Sequence, residues 1–91
     1  MTIKSKKIER IFKGVANHRR IDILLLVSKY PDITLNGIAE MLDCNIKTIC
    51  EHVKRLHSAG LINKRYLKTS VCHWLSPYGE KMVKIIEDFY N

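Results

Sequence analysis

The sequence lacks an apolar stretch long enough to cross a membrane. Its longest unbroken run is Ile23-Leu24-Leu25-Leu26-Val27, whereas a spanning helix needs about 20 apolar residues. Cysteine is scarce and odd in number: Cys44, Cys50 and Cys72 have no framework spacing, which argues against a disulfide-stapled scaffold and for a reduced, cytoplasmic chain. The start, Met1-Thr2-Ile3-Lys4-Ser5-Lys6-Lys7, is basic but leads into a broken, amphipathic pattern, so no signal peptide is expected. Gly14, Gly37, Gly60 and Gly79 are scattered, and no glycine-rich phosphate loop can be drawn from them. No Ser, His and Asp set has a motif context, so catalysis is not expected. Acidic residues are also few, nine Asp and Glu against 16 Lys and Arg, leaving a net charge of +7.

Within these limits the 91 residues suffice for one small domain, expected over 1–91, and a hydrophobic content of 46% argues against disorder. The positive balance suits a polyanion such as nucleic acid, and it equally suits a solubilising surface. Ile8, Ile11, Phe12 and Val15 recur at helical spacing and predict a first helix over roughly 5–16, with Lys6, Lys7, Arg10 and Lys13 outside. Asn17-His18-Arg19-Arg20 breaks it, with Asn17 placed to cap a second helix from Ile21 to about Lys29. That helix is apolar nearly all round, so it belongs at the centre of the fold. Tyr30-Pro31-Asp32 stops it, and Ile33 suits a short strand. Thr34 caps a third helix whose Leu35, Ile38, Met41 and Leu42 share one side.

Asp43-Cys44 is a tight turn into the stretch that organises the rest. Asn45 suits an N-cap, Ile49, Val53 and Leu56 share one helical face, and Gly60 can take the left-handed conformation that ends a helix, with Leu61 folding back. Two helices joined by so short a turn make a helix-turn-helix unit. Away from the apolar face stand Lys47, Cys50, Glu51, Lys54 and Arg55. A helix of this make-up suits a DNA major groove, and it also suits an ordinary amphipathic surface. Glu51 is either an acceptor for the cytosine N4 amino group or the partner of Arg55 four residues on.

Beyond Gly60 the apolar period drops to two. Leu61 to Tyr66 and Val71 to Leu75 predict a hairpin around Leu67-Lys68-Thr69-Ser70. Lys64, Arg65 and Lys68 make it basic, as a solvated loop or as phosphate contacts. Trp74 reads as hairpin packing. Ser76-Pro77 is a helix start, followed by Tyr78, Met82, Ile85, Ile86 and Phe89 on one stripe, with Val83 and Tyr90 near its edge. This surface is wider than one small core demands. With Ile8, Ile11 and Phe12 it predicts a homodimer through the first and last helices, the alternative being a last helix that merely covers its own domain.

Metal ligands are hard to assemble. Cys50 and His52 point different ways on a helix, and Cys72 and His73 face opposite sides of a strand. No metal and no cofactor are expected. Cys44 and Cys72 read as small packing residues, and His52 as a local hydrogen-bond partner or a phosphate contact.

The order of these elements resembles the winged-helix repressors of the arsenical-resistance (ArsR) family. Ile11-Phe12-Lys13-Gly14-Val15-Ala16-Asn17 through Arg20-Ile21-Asp22-Ile23-Leu24 is similar to the family's opening signature, and Leu35-Asn36-Gly37-Ile38-Ala39-Glu40-Met41-Leu42 to its first helix-turn-helix element. Thr48-Ile49-Cys50-Glu51-His52-Val53-Lys54-Arg55-Leu56 followed by Ala59-Gly60-Leu61-Ile62 resembles the recognition helix and its exit. Leu75-Ser76-Pro77-Tyr78-Gly79 is similar to a junction shared with the multiple-antibiotic-resistance (MarR) type. Three features depart from the family. The wing has no Gly-Arg tip, Glu51 stands where Arg is common, and Leu35 to Ile38 replace the paired cysteines of metal-sensing members.

The resemblance implies a mainly α fold with a small β-hairpin, a winged helix-turn-helix, and a dimeric regulator of transcription that binds double-stranded DNA. Base contacts are then expected from Ile46, Lys47, Thr48, Cys50 and Glu51, and backbone contacts from His52, Lys54, Arg55, Lys64, Arg65, Lys68 and Thr69. Dimerisation is expected through Ile8, Ile11, Phe12, Met82, Ile85, Ile86 and Phe89. The alternative is a winged helix serving as a protein–protein adaptor or an RNA-binding module. A DNA reader should show a basic face on the recognition helix and wing, and an adaptor an apolar one.

Overall fold

The computed structural model describes residues 4–90, so residues 1–3 and 91 at the ends of the expected domain lie outside the described residues. The elements run α1 (Ser5–Val15), α2 (His18–Lys29), β1 (Ile33–Thr34), α3 (Leu35–Leu42), α4 (Ile46–Ser58), β2 (Ile62–Leu67), β3 (Ser70–Leu75) and α5 (Pro77–Asp88). This is the expected mainly α winged helix-turn-helix. The strands form one antiparallel sheet in the order β1-β3-β2.

Local chemistry sets most boundaries. Asn17 Oδ1 accepts from the backbone N–H of Arg19 at 2.9 Å and of Arg20 at 3.3 Å. His18–Arg20 is thereby the first turn of α2, which starts three residues before the expected Ile21. Thr34 caps α3 through the Gly37 N–H at 3.1 Å, and Asp43 closes it with a φ of 49°. Asn45 Oδ1 accepts from Lys47 N–H at 2.8 Å and opens α4. At the other end of α4, Gly60 N–H donates to His57 O and Leu61 N–H to Leu56 O, both at 3.0 Å. That is a Schellman cap, and Leu56 and Leu61 complete it as a fully buried apolar pair.

The core lies between α2, α4 and the sheet. Ile23, Leu24 and Val27 of α2 meet Ile38, Ile49, Val53, Leu56, Leu61 and Ile62 there. Ile21, Leu25 and Leu26 are only half-buried, so the nearly all-apolar α2 is central but not wholly covered. Met41 does not share the buried side of α3; it is 51% exposed. Val83, expected at the edge of the α5 stripe, is in the core, and so is Met82.

The hairpin turn is tighter than expected. Leu67 pairs with Ser70, so only Lys68 and Thr69 connect the strands. Lys68 takes a φ of 59°, a left-handed conformation that costs a non-glycine residue roughly 1–2 kcal/mol. Nothing in its residue type announces that turn.

Two contacts fix how the elements sit. A Cβ on Gly14 would lie 2.3 Å from Ala59 Cβ, so α1 packs closely on the end of α4. A Cβ on Gly79 would lie 2.1 Å from Leu61 O, so the first turn of α5 rests on the exit of α4. Ser76 reinforces this second contact. Its backbone N–H donates to Leu61 O at 3.1 Å, its hydroxyl donates to Gly60 O, and the same oxygen accepts from Gly79 N–H. The two glycines 60 and 79 should therefore fail differently. In urea unfolding, Gly79→Ala is expected to lose about 3 kcal/mol, because its obstacle is backbone. Gly60→Ala, with open space but a φ of +78°, should lose only about 1 kcal/mol. Equal losses would mean that α5 can shift off Leu61 freely.

His73 sits 2% exposed in the middle of the sheet. Its Nδ1 lies 2.9 Å from Ile33 O; a carbonyl only accepts, so Nδ1 carries the proton. Burial pushes its pKa below the ordinary value, and Lys64 and His57 push the same way, against the bond to Ile33. The unfolded chain thus binds a proton near pH 6.5 that the folded chain resists, and stability rises with pH through that window. Between pH 7.5 and 5 the urea midpoint should fall, and His73→Gln should reduce that fall. An unchanged pH profile in the variant would remove His73 from the account.

Candidate nucleic-acid interface

At about 100° of rotation per residue, Ile49, Val53 and Leu56 define the inner face of α4, and Glu51 points almost directly away from them. Lys47, Thr48, Lys54, Arg55 and Ser58 flank Glu51, and all are exposed. Ile46 is 42% exposed at the helix start. The outward face thus carries Lys47, Thr48, Glu51, Lys54 and Arg55 of the expected set. Cys50 is turned aside: it is half-buried and lines a small cavity with Leu35, Val53, Lys54, Lys64, Val71 and His73. It faces the root of the wing, to one side of the outward surface.

His52 is on neither the inner nor the outward face. Arg20 Nη1 donates to its Nδ1 at 3.3 Å, while Nη2 reaches Lys13 O at 3.4 Å. A guanidinium only donates, so His52 Nδ1 is unprotonated in this contact. Burial first, then Arg20, Arg55, His18 and Arg19, lower the His52 pKa below its ordinary value. Arg20 itself is lowered by burial and by Arg55, and its Nε is buried without a hydrogen-bond partner. Arg20 therefore brackets α1, α2 and α4 together just behind the outward face. Nothing in the spacing of residues 32 apart could have shown this pairing.

The wing holds a second unforeseen pair. Arg65 Nη2 donates to both carboxylate oxygens of Asp32, at 2.8 and 2.9 Å, and the guanidinium lies 5.1 Å from the Trp74 ring centroid. Arg65, expected as a phosphate contact, is thus also paired with Asp32, while its side chain stays 51% exposed. Trp74 packs on the hairpin as expected and also supports Arg65. Lys64 and Lys68 remain exposed, with Thr69 beside Lys68 in the turn. Between α1 and α4 runs a further basic groove lined by Arg10, Lys13, Lys54, Arg55 and the lone acid Glu51.

The apolar surface lies elsewhere. Phe12, Val15, Ile21, Met82, Ile85, Ile86, Phe89 and Tyr90 line a groove of about 360 Å³ between α1, α2 and α5. Phe89 is 85% exposed, and Ile8, Phe12 and Ile85 are also in water. Ile11 and Ile86 are half-buried against the core. Met82 is already buried within the chain; it forms the floor of this groove and cannot supply its surface. Among the described residues no three His, Cys, Asp or Glu side chains converge as a metal site, and no helix is long and apolar enough to cross a membrane.

Comparison with known proteins agrees with this geometry. No curated protein matches the sequence. Among solved structures, HlyU from Vibrio cholerae is similar over 99% of this chain and 98% of its own, with 24% identity and a TM-score of 0.87. Mb0332 from Mycobacterium bovis, a homodimeric winged helix-turn-helix DNA-binding domain described as a possible ArsR-family regulator, is 22% identical over 93% of this chain and 79% of its own, with a TM-score of 0.84. NolR from Sinorhizobium fredii is 16% identical, with 96% and 87% covered and a TM-score of 0.85. Identities this low establish a shared fold. The family model described as winged helix-turn-helix DNA-binding matches residues 17–63, from the cap of α2 through the start of β2. With that match over more than half its length, the chain belongs to the winged helix-turn-helix DNA-binding family.

Proposed function

We propose that the chain is a sequence-specific regulator of transcription that binds double-stranded DNA, of the ArsR repressor type, cytoplasmic, and acting as a homodimer through α1 and α5. The observation that carries this reading is the outward face of α4, polar and exposed along its length, beside a basic wing whose root is pinned. Base contacts come from Ile46, Lys47, Thr48 and Glu51, with Cys50 at the margin. Lys54, Arg55, Lys64, Lys68 and Thr69 meet the phosphates, which supply affinity and positioning while base edges supply specificity. His52 acts behind this surface, through Arg20. The apolar patch that an adaptor would need on α4 is reduced to Ile46, and the apolar surface lies instead on α1 and α5.

Glu51 is the sharpest point of this reading. It makes no ion pair within 4.0 Å among the described residues, so the pairing with Arg55 does not occupy it. A carboxylate at the centre of a basic reading face suits the cytosine N4 amino group, a donor presented in the major groove. Selection of bound sequences from random duplex DNA tests the whole proposal, and it should return two related half-sites. Repeated with Glu51→Gln, it should show preference relaxed at one position of each half-site, by about 1–3 kcal/mol. A uniform gain in affinity with the same selected sequence would eliminate base reading by Glu51.

The dimer is tested separately. Ile85 and Phe89 are exposed in the single chain, so charging them should not harm its fold. Light scattering at micromolar concentration should give twice 10.6 kDa for the parent. The variant Ile85→Glu/Phe89→Glu should give the single-chain mass. A parent already at the single-chain mass would refute the dimer.

A further inference from the structure

The wing carries an aromatic side chain that the fold does not use. Tyr66 is 80% exposed, one residue before the end of β2. It pairs with Val71, and Lys64 pairs with His73, so these four side chains share one face of the hairpin. Lys64, Val71 and His73 also line the cavity against Cys50, Val53 and Lys54 of α4. That face therefore looks toward the recognition helix, and Tyr66 continues it outward past the point where α4 covers it. Lys64 lies two residues before Tyr66 on the same strand face, and Lys68 two residues after it, in the turn. The arginine that would otherwise serve the wing, Arg65, is on the opposite face, held by Asp32 and Trp74.

We propose that Tyr66 is the wing's non-ionic contact with duplex DNA, entering the minor groove beside the major groove that α4 reads, with Lys64 and Lys68 seating the wing on the flanking phosphates. The chemistry suits that occupant. The minor groove is about 6 Å wide, which admits the edge of an aromatic ring, and its walls are the apolar faces of the sugars. The tyrosine hydroxyl can donate to the adenine N3 and thymine O2 acceptors on its floor. Two ammonium groups beside a ring match an occupant that is anionic at its rim and apolar within. The hydrogen bonds from Arg65 Nη2 to both Asp32 oxygens tie down the root of the wing, so less motion is lost when the ring docks.

This inference rests on the DNA-binding reading, and the experiment separates the two. Binding to the selected duplex is followed by fluorescence anisotropy at several salt concentrations for the parent, Tyr66→Ala, Tyr66→Phe and Lys68→Ala. Tyr66→Ala, which loses ring and hydroxyl together, should bind about thirtyfold more weakly with its salt slope unchanged, while Tyr66→Phe, which loses only the hydroxyl, should bind about threefold more weakly. Lys68→Ala should instead lower the slope of log K against log salt by about 0.9. Replacing flanking guanine with inosine, which removes the N2 amino group from the minor groove only, should strengthen binding by the parent but not by Tyr66→Ala. Urea unfolding of Tyr66→Ala should match the parent, since the ring is in water. A parent that binds no duplex overturns both readings. A parent that binds, with Tyr66→Ala binding equally well or losing salt slope, overturns this one alone and leaves the ring to a protein partner.

Discussion

The Leu61 carbonyl is the point on which the arrangement turns. It lies where α4 ends, β2 begins and α5 starts, and it accepts from Ser76 N–H at 3.1 Å while the first turn of α5 leans on it. That approach is possible only because position 79 has no Cβ. Ser76 then joins two helix ends with one side chain, its hydroxyl donating to Gly60 O and accepting from Gly79 N–H. Helix ends leave backbone groups unpaired; here the last α4 carbonyls accept from Ala59, Gly60 and Leu61 N–H, and Ser76 ties the Gly60 and Leu61 carbonyls just beyond α4 to the first turn of α5. Every later relation depends on this, because it sets the angle at which α5 leaves and hence where the apolar surface lies relative to the reading helix.

The electrostatics have a different logic. Arg20, His52, Arg55, His18 and Arg19 crowd one region, and their charges depress the pKa of His52 after burial has done so. A cluster of like charge destabilises the free chain through self-repulsion. It is tolerable here because the His52 pKa is lowered and its Nδ1 accepts from Arg20, so His52 does not add to the arginine charge. The same crowding makes the surface more favourable to a polyanion, since each phosphate that arrives removes repulsion as well as adding attraction. The cluster thus connects fold and proposed function through a single term.

What could be read along the chain was short-range. Asn17, Thr34, Asn45 and Ser76 cap as expected, since an N-cap needs only a side-chain oxygen and its own next two or three N–H groups. Gly60 and Asp43 take their left-handed turns for equally local reasons. The failures are long-range or strained. The Arg65–Asp32 pair spans 33 positions, and a basic residue in a basic loop gives no sign that an acid in a distant turn will hold it. Met82 and Val83 lie midway along α5, whose inner face depends on the angle it takes from Leu61, so periodicity alone puts Val83 at the edge of a stripe when it is in the core. Lys68 turns a hairpin that glycine or asparagine would have announced. Tyr66 is a strand-former by residue type, and its 80% exposure is a property of the assembled wing.

The two surfaces are also coupled through packing without side-chain play. Gly14 seats α1 on Ala59 at the end of α4, as Gly79 seats α5 on Leu61 two residues later. Both helices proposed to meet the second copy are thereby fixed to the same end of the reading helix by close backbone approaches. Such contacts are stiff, because close-packed groups have few alternative arrangements. In a two-fold dimer the separation of the two reading helices would follow from the α1–α5 geometry, since α4 cannot slide relative to either partner without a clash. The spacing of half-sites would then be written into Gly14 and Gly79, while the bases chosen within each half-site would be written into the outward face of α4.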